Sequence, residues 1–179
     1  TYRHPPTGVG WTSYQAEDYI AQSAAFQNLV ISLLAEGVFR QFPDLTFVCL
    51  ESGFTWMPTL LWRSSKTWRG VRTEVPWIDR NPAAIVRERV KLSLRPFDAP
   101  EDPAIVARIL EQIACDDMLV FTTDYPHWQF EGDAVLPATL PHQLHRRIMI
   151  DNPRAAFPRL DGEAVAVTRS QSANTEARP

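Results

Sequence analysis

Residues 90 to 124 read VKLSLRPFDAPEDPAIVARILEQIACDDMLVFTTD, and this stretch decides the fold. It holds two short apolar runs, VKLSL at its start and MLVFTTD at its end, which we predict to be strands. Between them, residues 102 to 114 have the pattern of a helix, with Asp102 placed as its cap and Pro103 at the first helical position. Two strands joined by a helix predict a parallel βαβ unit with a right-handed crossover.

The same alternation extends towards the N-terminus. Residues 46 to 53, TFVCLESG, indicate a strand covered on both faces, followed by a helix over roughly residues 58 to 72. Before that strand, Thr12 and Gln15 have the spacing of a capping box, which predicts a long helix that Pro43 stops. The apolar positions of this helix recur at three, four and seven residues, so one broad face is expected to be buried: Ile20, Ala24, Ile31, Leu34 and Val38.

Two further segments complete the pattern. Residues 140 to 157 predict a closing helix that Pro153 ends or bends. Residues 73 to 84 are interpreted as a long loop of the kind that covers a barrel or meets a neighbouring subunit. Trp62 and Trp68 belong to the second helix, which must pack on the sheet, so we expect both rings to pack in the core or against a neighbouring subunit.

The predicted strands are too few to close a barrel. A complete (β/α)8 barrel takes about 250 residues, whereas this chain has 179. The α/β chain is therefore either a small open sheet or the latter part of a barrel, and its start at Thr1 without an initiator methionine favours the second. We assign residues 1–160 to this α/β unit and residues 161–179, which lack hydrophobic periodicity, to a flexible tail.

The composition of the chain argues against two classes of partner, nucleic acid and membrane. The chain is 45% hydrophobic with a formal charge of -3 and no basic stripe, so nucleic acid is not expected. The longest apolar stretch, from Leu29 to Ala35, is far shorter than the about 20 residues that span a bilayer, so no membrane partner is expected. Cys49 and Cys115 lie far apart in apolar segments, which indicates small buried side chains in a reducing, cytoplasmic compartment.

Each predicted strand ends on an ionisable side chain: Glu51, Arg95 and Asp124. In parallel α/β proteins functional groups collect at the carboxyl ends of strands, so these residues are candidates for a site. A carboxylate there binds a divalent metal or accepts a proton from metal-bound water, and Pro126 would hold Asp124 in one orientation. The alternative is that Asp124 caps the following turn or pairs with an arginine.

His127 and Trp128 follow Asp124 closely. His127 is a candidate to orient Asp124 or to touch a substrate, and the alternative is a loop histidine bonded to backbone. Trp128 is a candidate to line a substrate pocket.

Several segments together resemble a known family. EGVFRQFPDL at 36–45, ESGFTW at 51–56, TTDYPHW at 122–128 and DNPRAAFPRL at 151–160 are similar to the C-terminal half of the amidohydrolase-related family. That family includes aminocarboxymuconate semialdehyde decarboxylase and γ-resorcylate decarboxylase, and the resemblance runs from about residue 12 to 160. It implies the C-terminal part of a (β/α)8 barrel with a divalent metal, commonly zinc, at its mouth. Manganese and iron fit an oxygen ligand equally well.

The resemblance also implies roles for the strand-end residues. Asp124 matches the metal-binding aspartate after the eighth strand. Glu51 matches a position after the sixth strand where decarboxylase relatives carry an acid-base histidine; the glutamate departs from that pattern but still transfers protons. The alternative for Glu51 is a structural acid paired with Arg95 or Arg63. Arg95 either holds a substrate carboxylate through two parallel hydrogen bonds or pairs with Glu51 or Asp98.

The family's other metal ligands come from the first and fifth strands, and the chain begins after both by this resemblance. A zinc site takes three protein ligands and a water, so we expect this chain alone to bind metal poorly and to be inactive.

The sequence therefore predicts part of a metal-dependent hydrolase or decarboxylase that acts on a small, carboxylate-bearing organic molecule and that is a homo-oligomer at full length. The alternative is a catalytically inactive half-barrel that serves as a folding or assembly module. Because missing strands leave apolar edges and helix faces uncovered, we expect the isolated chain to aggregate or oligomerise.

Overall fold

The structure of the chain is a computed structural model, and it describes residues 10–123 and 136–161. Helices alternate with short strands along these residues. The helices are α1 (Gln15–Ala35), α2 (Val38–Gln41), α3 (Met57–Val71), α4 (Pro82–Arg89), α5 (Pro103–Ile113), α6 (His142–Arg146) and α7 (Asn152–Ala156), with a π-helical turn over Arg147–Asp151 and a 3-10 turn over Pro158–Asp161.

The strands of the described residues form one parallel sheet. In sheet order they are β1 (Phe47–Cys49), β2 (Val90–Ser93) and β3 (Leu119–Val120). Cys49 lies opposite Leu92, and Leu92 lies opposite Leu119, so the three strands end at the same edge. The parallel βαβ arrangement predicted from the sequence is confirmed.

The core lies where the helices pack on this sheet. Every residue of β2 is buried, including Lys91, whose Nζ donates a hydrogen bond to the carbonyl of Asp117 at 2.8 Å. The largest fully buried side chains come from the helices and strands and from the segments directly next to them: Phe54, Met57, Leu61, Leu92, Leu94, Ile113, Met118, Leu140 and Ile148. Cys49 belongs to this core, and burial raises the pKa of its thiol to about 12.

The start of α1 differs from the predicted capping box. Tyr14 precedes the first helical residue and makes no side-chain cap, so Gln15 does not complete a box with Thr12. Instead, the Ser13 N–H donates to the Glu17 carboxylate at 3.0 Å. The carboxylate that reaches back therefore comes from a position two residues later than the sequence pattern indicated.

The predicted long helix is also shorter, and its apolar face is not buried as expected. α1 ends at Ala35, and Gly37, with φ 71°, separates it from α2. Ile20 is 79% exposed and Ile31 is 48% exposed, whereas Val30 and Leu34 are buried. The reason is that α1 packs on α2 and α3, while β1 is the edge strand of the described sheet and offers no further strand for α1 to cover.

Two other expectations need correction. Residues 73 to 84 are not all loop, because α4 begins at Pro82 and the Asn81 side chain accepts a hydrogen bond from the Ala83 N–H at 3.0 Å. Trp62 is 53% exposed because the neighbouring Leu61 points into the core, and successive helical positions lie about 100° apart. Trp68 does pack against the core, as predicted.

The other helix signals are confirmed. Asp102 caps α5 by accepting a hydrogen bond from the Ala104 N–H at 2.8 Å, and Pro103 is the first helical residue. Pro153 does not end the closing helix, because α7 continues to Ala156 after the π-helical turn over Arg147–Asp151. Among the helices of residues 10–123 and 136–161, none has the length and apolar character that crossing a bilayer requires. The assignment of residues 1–160 and 161–179 to a structured unit and a tail stays a prediction.

Candidate active site at the strand ends

Glu51 lies directly beyond β1, with an exposed side chain and an unusual backbone. Its φ is 57°, in the left-handed region that residues with a β-carbon rarely adopt. This conformation costs roughly 1–2 kcal/mol, and such strained residues cluster at functional sites. The surrounding structure must therefore hold Glu51 in place.

A buried hydroxyl group provides part of that support. Ser93, the last residue of β2, is 0% exposed. Its Oγ accepts a hydrogen bond from the Glu51 N–H at 2.7 Å and donates one to the Arg95 carbonyl, also at 2.7 Å. One side chain thus joins the backbone at the ends of β1 and β2.

Asp98 makes a second connection between the same two strand ends. Its carboxylate accepts hydrogen bonds from the Phe54 N–H at 3.1 Å, the Thr55 N–H at 3.4 Å and the Thr55 hydroxyl at 2.6 Å. Gly53 has φ 62°, and a β-carbon there would lie 2.4 Å from the Asp98 Oδ2. Glycine is required at this position both for its backbone conformation and for the close approach of Asp98.

The end of β3 is fastened by the closing helices. Asn152 is buried, and its Nδ2 donates to the Leu119 carbonyl at 2.7 Å and to the Asp116 carbonyl at 2.8 Å. The Phe121 N–H donates to the Ile148 carbonyl at 3.0 Å. These bonds pair backbone groups of β3 that do not face β2, and they fix the strand that leads towards Asp124.

The structure brings two of the predicted site residues to one edge. Glu51 and Arg95 follow adjacent strands, and Arg95 is half-buried with a cis peptide bond to Pro96. Across residues 10–123 and 136–161, no ion pair joins Glu51 to Arg95 or to Arg63, so the alternative of a structural acid in such a pair is not seen.

The remaining predicted site residues, Asp124, His127 and Trp128, lie outside the described residues, and their roles stay predictions. The described residues before Asp124 show only where β3 ends. Val120 lies opposite Ser93, so β3 ends at the edge where β1 and β2 end.

The supporting residues Ser93, Asp98 and Asn152 were missed as parts of the site. Asp98 was considered only as an ion-pair partner of Arg95. Ser93 is a hydroxyl inside an apolar strand, and Asn152 lies in a motif that the family resemblance already included. A polar side chain within a segment that must be buried needs a hydrogen-bond partner. This is the sequence feature that indicates a structural role for Ser93 and Asn152.

The residues that the structure describes do not hold a divalent ion by themselves. No three side chains of His, Cys, Asp or Glu cluster within residues 10–123 and 136–161. Within the described residues, the strand-end edge offers a single candidate metal ligand, the Glu51 carboxylate. A zinc site takes three protein ligands. A metal centre at this edge would need further ligands from outside the described residues.

A cavity of about 220 Å³ lies elsewhere in the chain. It is lined by parts of α1, α2 and α4 and by the loop that carries Trp77, and neither Glu51 nor Arg95 contributes to it. The Trp77 Nε1 donates to the Ala35 carbonyl at 2.9 Å, which ties that loop to the end of α1. The strand-end site is therefore separate from this cavity.

The sequence was compared with protein families and with known proteins. A family model described as amidohydrolase matches residues 6–159, most of the chain. The chain belongs to the amidohydrolase family. This finding confirms the resemblance that the motifs carried. No curated protein matches the sequence.

Solved structures show the fold of this amidohydrolase chain. A crystal structure of an amidohydrolase from Mycobacterium avium subsp. paratuberculosis K-10 has a TM-score of 0.60 and 21% identity, and the match covers 82% of this chain and 36% of that one. The structure of 5-carboxyvanillate decarboxylase from Sphingomonas paucimobilis has a TM-score of 0.56 and 20% identity, with 75% of this chain and 39% of that one covered.

The amidohydrolase chain thus spans less than two fifths of either solved chain, and at these identities the likeness shows the fold alone. It confirms the predicted fold class, parallel strands alternating with helices as in the C-terminal part of a (β/α)8 barrel. The carboxyl edge of such strands carries the active site in barrel enzymes. In this amidohydrolase chain Glu51 and Arg95 follow neighbouring strands at that edge, and side chains of these two types are suited to proton transfer and to anion binding.

Proposed function

We propose that this chain supplies the C-terminal strands of a metal-dependent hydrolase or decarboxylase that acts on a small organic molecule bearing a carboxylate. The observation that carries the proposal is the pairing of β1 with β2. It places Glu51 and Arg95 at the carboxyl edge of a parallel sheet, joined through Ser93, in a chain of the amidohydrolase family.

Arg95 binds the substrate carboxylate in this proposal. A guanidinium donates two parallel hydrogen bonds to a carboxylate, which fixes both the position and the orientation of the bound molecule. The backbone of Arg95 is held by Ser93, so the base of its side chain has a defined position. A substrate without a carboxylate would lose this contact.

Glu51 transfers the proton. A general acid or base must reach the reacting group from a fixed position, and it contributes about 10²- to 10⁴-fold to the rate. Glu51 can reach a bound molecule because its side chain is exposed at the edge, and its position is fixed because its backbone is bonded to Ser93. Decarboxylation needs a proton at the carbon that loses CO2, and hydrolysis needs one moved from water to the leaving group.

Asp124 is proposed as one ligand of the metal, with zinc first and manganese or iron as alternatives. The other ligands come from outside the described residues. A bound divalent ion lowers the pKa of its water and polarises an oxygen of the substrate. His127 would assist by orienting Asp124, and Trp128 would line the substrate pocket. The full-length protein is proposed to be a homo-oligomer.

A second candidate function, an inactive assembly module, is favoured by one observation. Large apolar side chains at the start of the described chain are exposed: Trp11, Tyr14, Tyr19 and Ile20. Contiguous exposed apolar surface indicates contact with another polypeptide. Such a module would bind its partner without metal and without turnover.

The test separates these two functions in the full-length protein that contains this chain. The protein is analysed for bound metal and assayed for CO2 release from 5-carboxyvanillate, used as the first probe because a solved neighbour acts on it by name. A hydrolysis assay on small carboxylated esters follows. We expect bound metal and turnover, and absence of both would favour the assembly module.

Asp124→Ala provides the sharpest variant for this test. We expect it to abolish turnover and to lower the metal content with little change in the thermal melt, because in this proposal it removes a ligand of the metal and not a part of the core. The control is Asp44→Ala, an exposed acid in the turn before β1. Wild-type turnover and metal content in Asp124→Ala would show that the assignment is wrong.

A further inference from the structure

The Ser93 hydroxyl is the group that links the backbones of the two proposed functional residues. We propose that Ser93 is a positioning residue, which holds Glu51 and Arg95 in the relative placement that substrate binding and proton transfer require. This inference rests on the proposed function, because it concerns how that site is kept in order. It adds a residue that neither the family match nor the sequence motifs assign.

The Ser93 hydroxyl both accepts and donates a hydrogen bond. A serine Oγ carries one hydrogen to donate and lone pairs to accept. In this structure it accepts from the Glu51 N–H and donates to the Arg95 carbonyl, and both distances are 2.7 Å. A methyl group in its place can do neither, so Ser93→Ala leaves both backbone groups without this partner.

The backbone of Glu51 explains why the bond matters for orientation. With φ at 57°, Glu51 occupies a conformation that it would leave without compensation from its surroundings. The hydrogen bond to Ser93 provides part of that compensation. If the bond is lost, extended conformations become accessible to Glu51, and they would turn the carboxylate away from its present direction.

Ser93 itself does not contact a substrate. Its side chain is fully buried beneath the strand ends, whereas Glu51 is exposed and Arg95 is half-buried. Any effect of Ser93 on turnover must therefore pass through these two neighbours. This separates a positioning role from direct participation in the chemistry, and it makes the role testable by combining substitutions.

Asp98 supports the same placement from the other side of the β1 loop. It fastens Phe54 and Thr55, which follow Glu51 by three and four residues. Because Asp98 holds the far end of this loop, Ser93→Ala is expected to release Glu51 locally without unfolding the loop. We therefore expect Ser93→Ala to lower kcat clearly while the melting temperature changes little.

The experiment is a double-mutant cycle in the full-length, metal-loaded protein, with 5-carboxyvanillate as the probe substrate and each variant checked by thermal melting. Ser93→Ala is expected to lower kcat by about tenfold to a hundredfold, the size of effect that small misplacements produce. Ser93→Thr, which keeps the hydroxyl, should restore most of kcat. The matched control is Ser64→Ala, which removes a hydroxyl that donates to the Leu61 carbonyl at 3.1 Å in α3, and it should leave kcat unchanged.

The combination with Glu51→Gln tests the mechanism. In the Glu51→Gln background, adding Ser93→Ala should lower kcat by less than it does in the wild-type background, because the part of its effect that passes through Glu51 is already lost. If Ser93→Ala melts far below Ser64→Ala, Ser93→Cys replaces it, since a thiol keeps a weak donor in a side chain that is only slightly larger.

The outcomes separate this inference from the proposed function. An active wild-type protein whose Ser93→Ala variant keeps wild-type kcat would overturn the positioning role and leave the proposed function intact. Losses that multiply fully in the double variant would show that Ser93 does not act through Glu51 and would overturn its role in positioning that residue. A wild-type protein without metal-dependent turnover would remove the proposed function, and this inference with it.

Discussion

The strand-end edge and the N-terminal half of α1 differ in how far their side chains are engaged by contacts within the chain. At the edge, side chains of Ser93, Asp98 and Asn152 bond to the backbone of neighbouring segments. On α1, Tyr19 and Ile20 leave most of their surface exposed to solvent. The frame of the candidate site is therefore built from contacts inside this chain, whereas large apolar side chains on α1 are left uncovered by the described residues.

The largest expected effect on stability is at Asn152. Asn152→Ala removes two hydrogen bonds and leaves the carbonyls of Leu119 and Asp116 without their amide donor, so we expect a loss of about 2–4 kcal/mol. The measurement is the urea midpoint. The control is Asn28→Ala, an exposed asparagine on α1, which should be neutral or slightly stabilising. Equal midpoints for both variants would show that β3 does not depend on the closing helices.

The next effect is at Gly53. Gly53→Ala places a β-carbon against the Asp98 carboxylate and at a positive φ, so we expect a loss of about 1–3 kcal/mol. Gly70→Ala is the matched control, since no atom lies within 4 Å of its added β-carbon and it sits inside α3. That substitution should stabilise by about 0.5–1 kcal/mol. A stabilised Gly53→Ala variant would contradict the close approach of Asp98.

The smallest effect on stability is expected at Ile20. Ile20→Lys replaces an apolar side chain that is 79% exposed, so the free energy of unfolding should change by less than about 0.5 kcal/mol. Sedimentation of the same variant should show less self-association of the isolated chain than the wild type does. Asn28→Lys, at an exposed polar position on the same helix, adds the same single charge and serves as the control. A soluble, monomeric wild-type chain would contradict the expected self-association.

The sequence predicted well those features that depend on neighbours along the chain. Asp102 and Pro103 mark a helix start by local chemistry alone, and the structure has that cap. The parallel order of the strands followed from their alternation with helices, and the ends of β1 and β2 were correctly expected to bring Glu51 and Arg95 to one edge. The Asn81–Pro82 pair carried the same kind of signal for α4 and was passed over as part of a loop.

Features that depend on distant partners were not predictable in the same way. The periodicity of α1 identified an apolar face, but burial needs a second surface, and the described sheet provides none beyond β1. Ser93 and Glu51 are separated by 42 residues, and Asn152 and Leu119 by 33, so no local pattern relates them. The support of the candidate site is set by the register of the strands, which the sequence alone did not specify.

Burial of Cys49 has a practical consequence for studying this chain. Its thiol has a pKa of about 12, so almost none of it is the nucleophilic thiolate near neutral pH. Cys115, the other cysteine, is less buried. A maleimide dye should attach at Cys115 and spare Cys49, giving a single fluorescent reporter between α5 and β3 without any engineered cysteine.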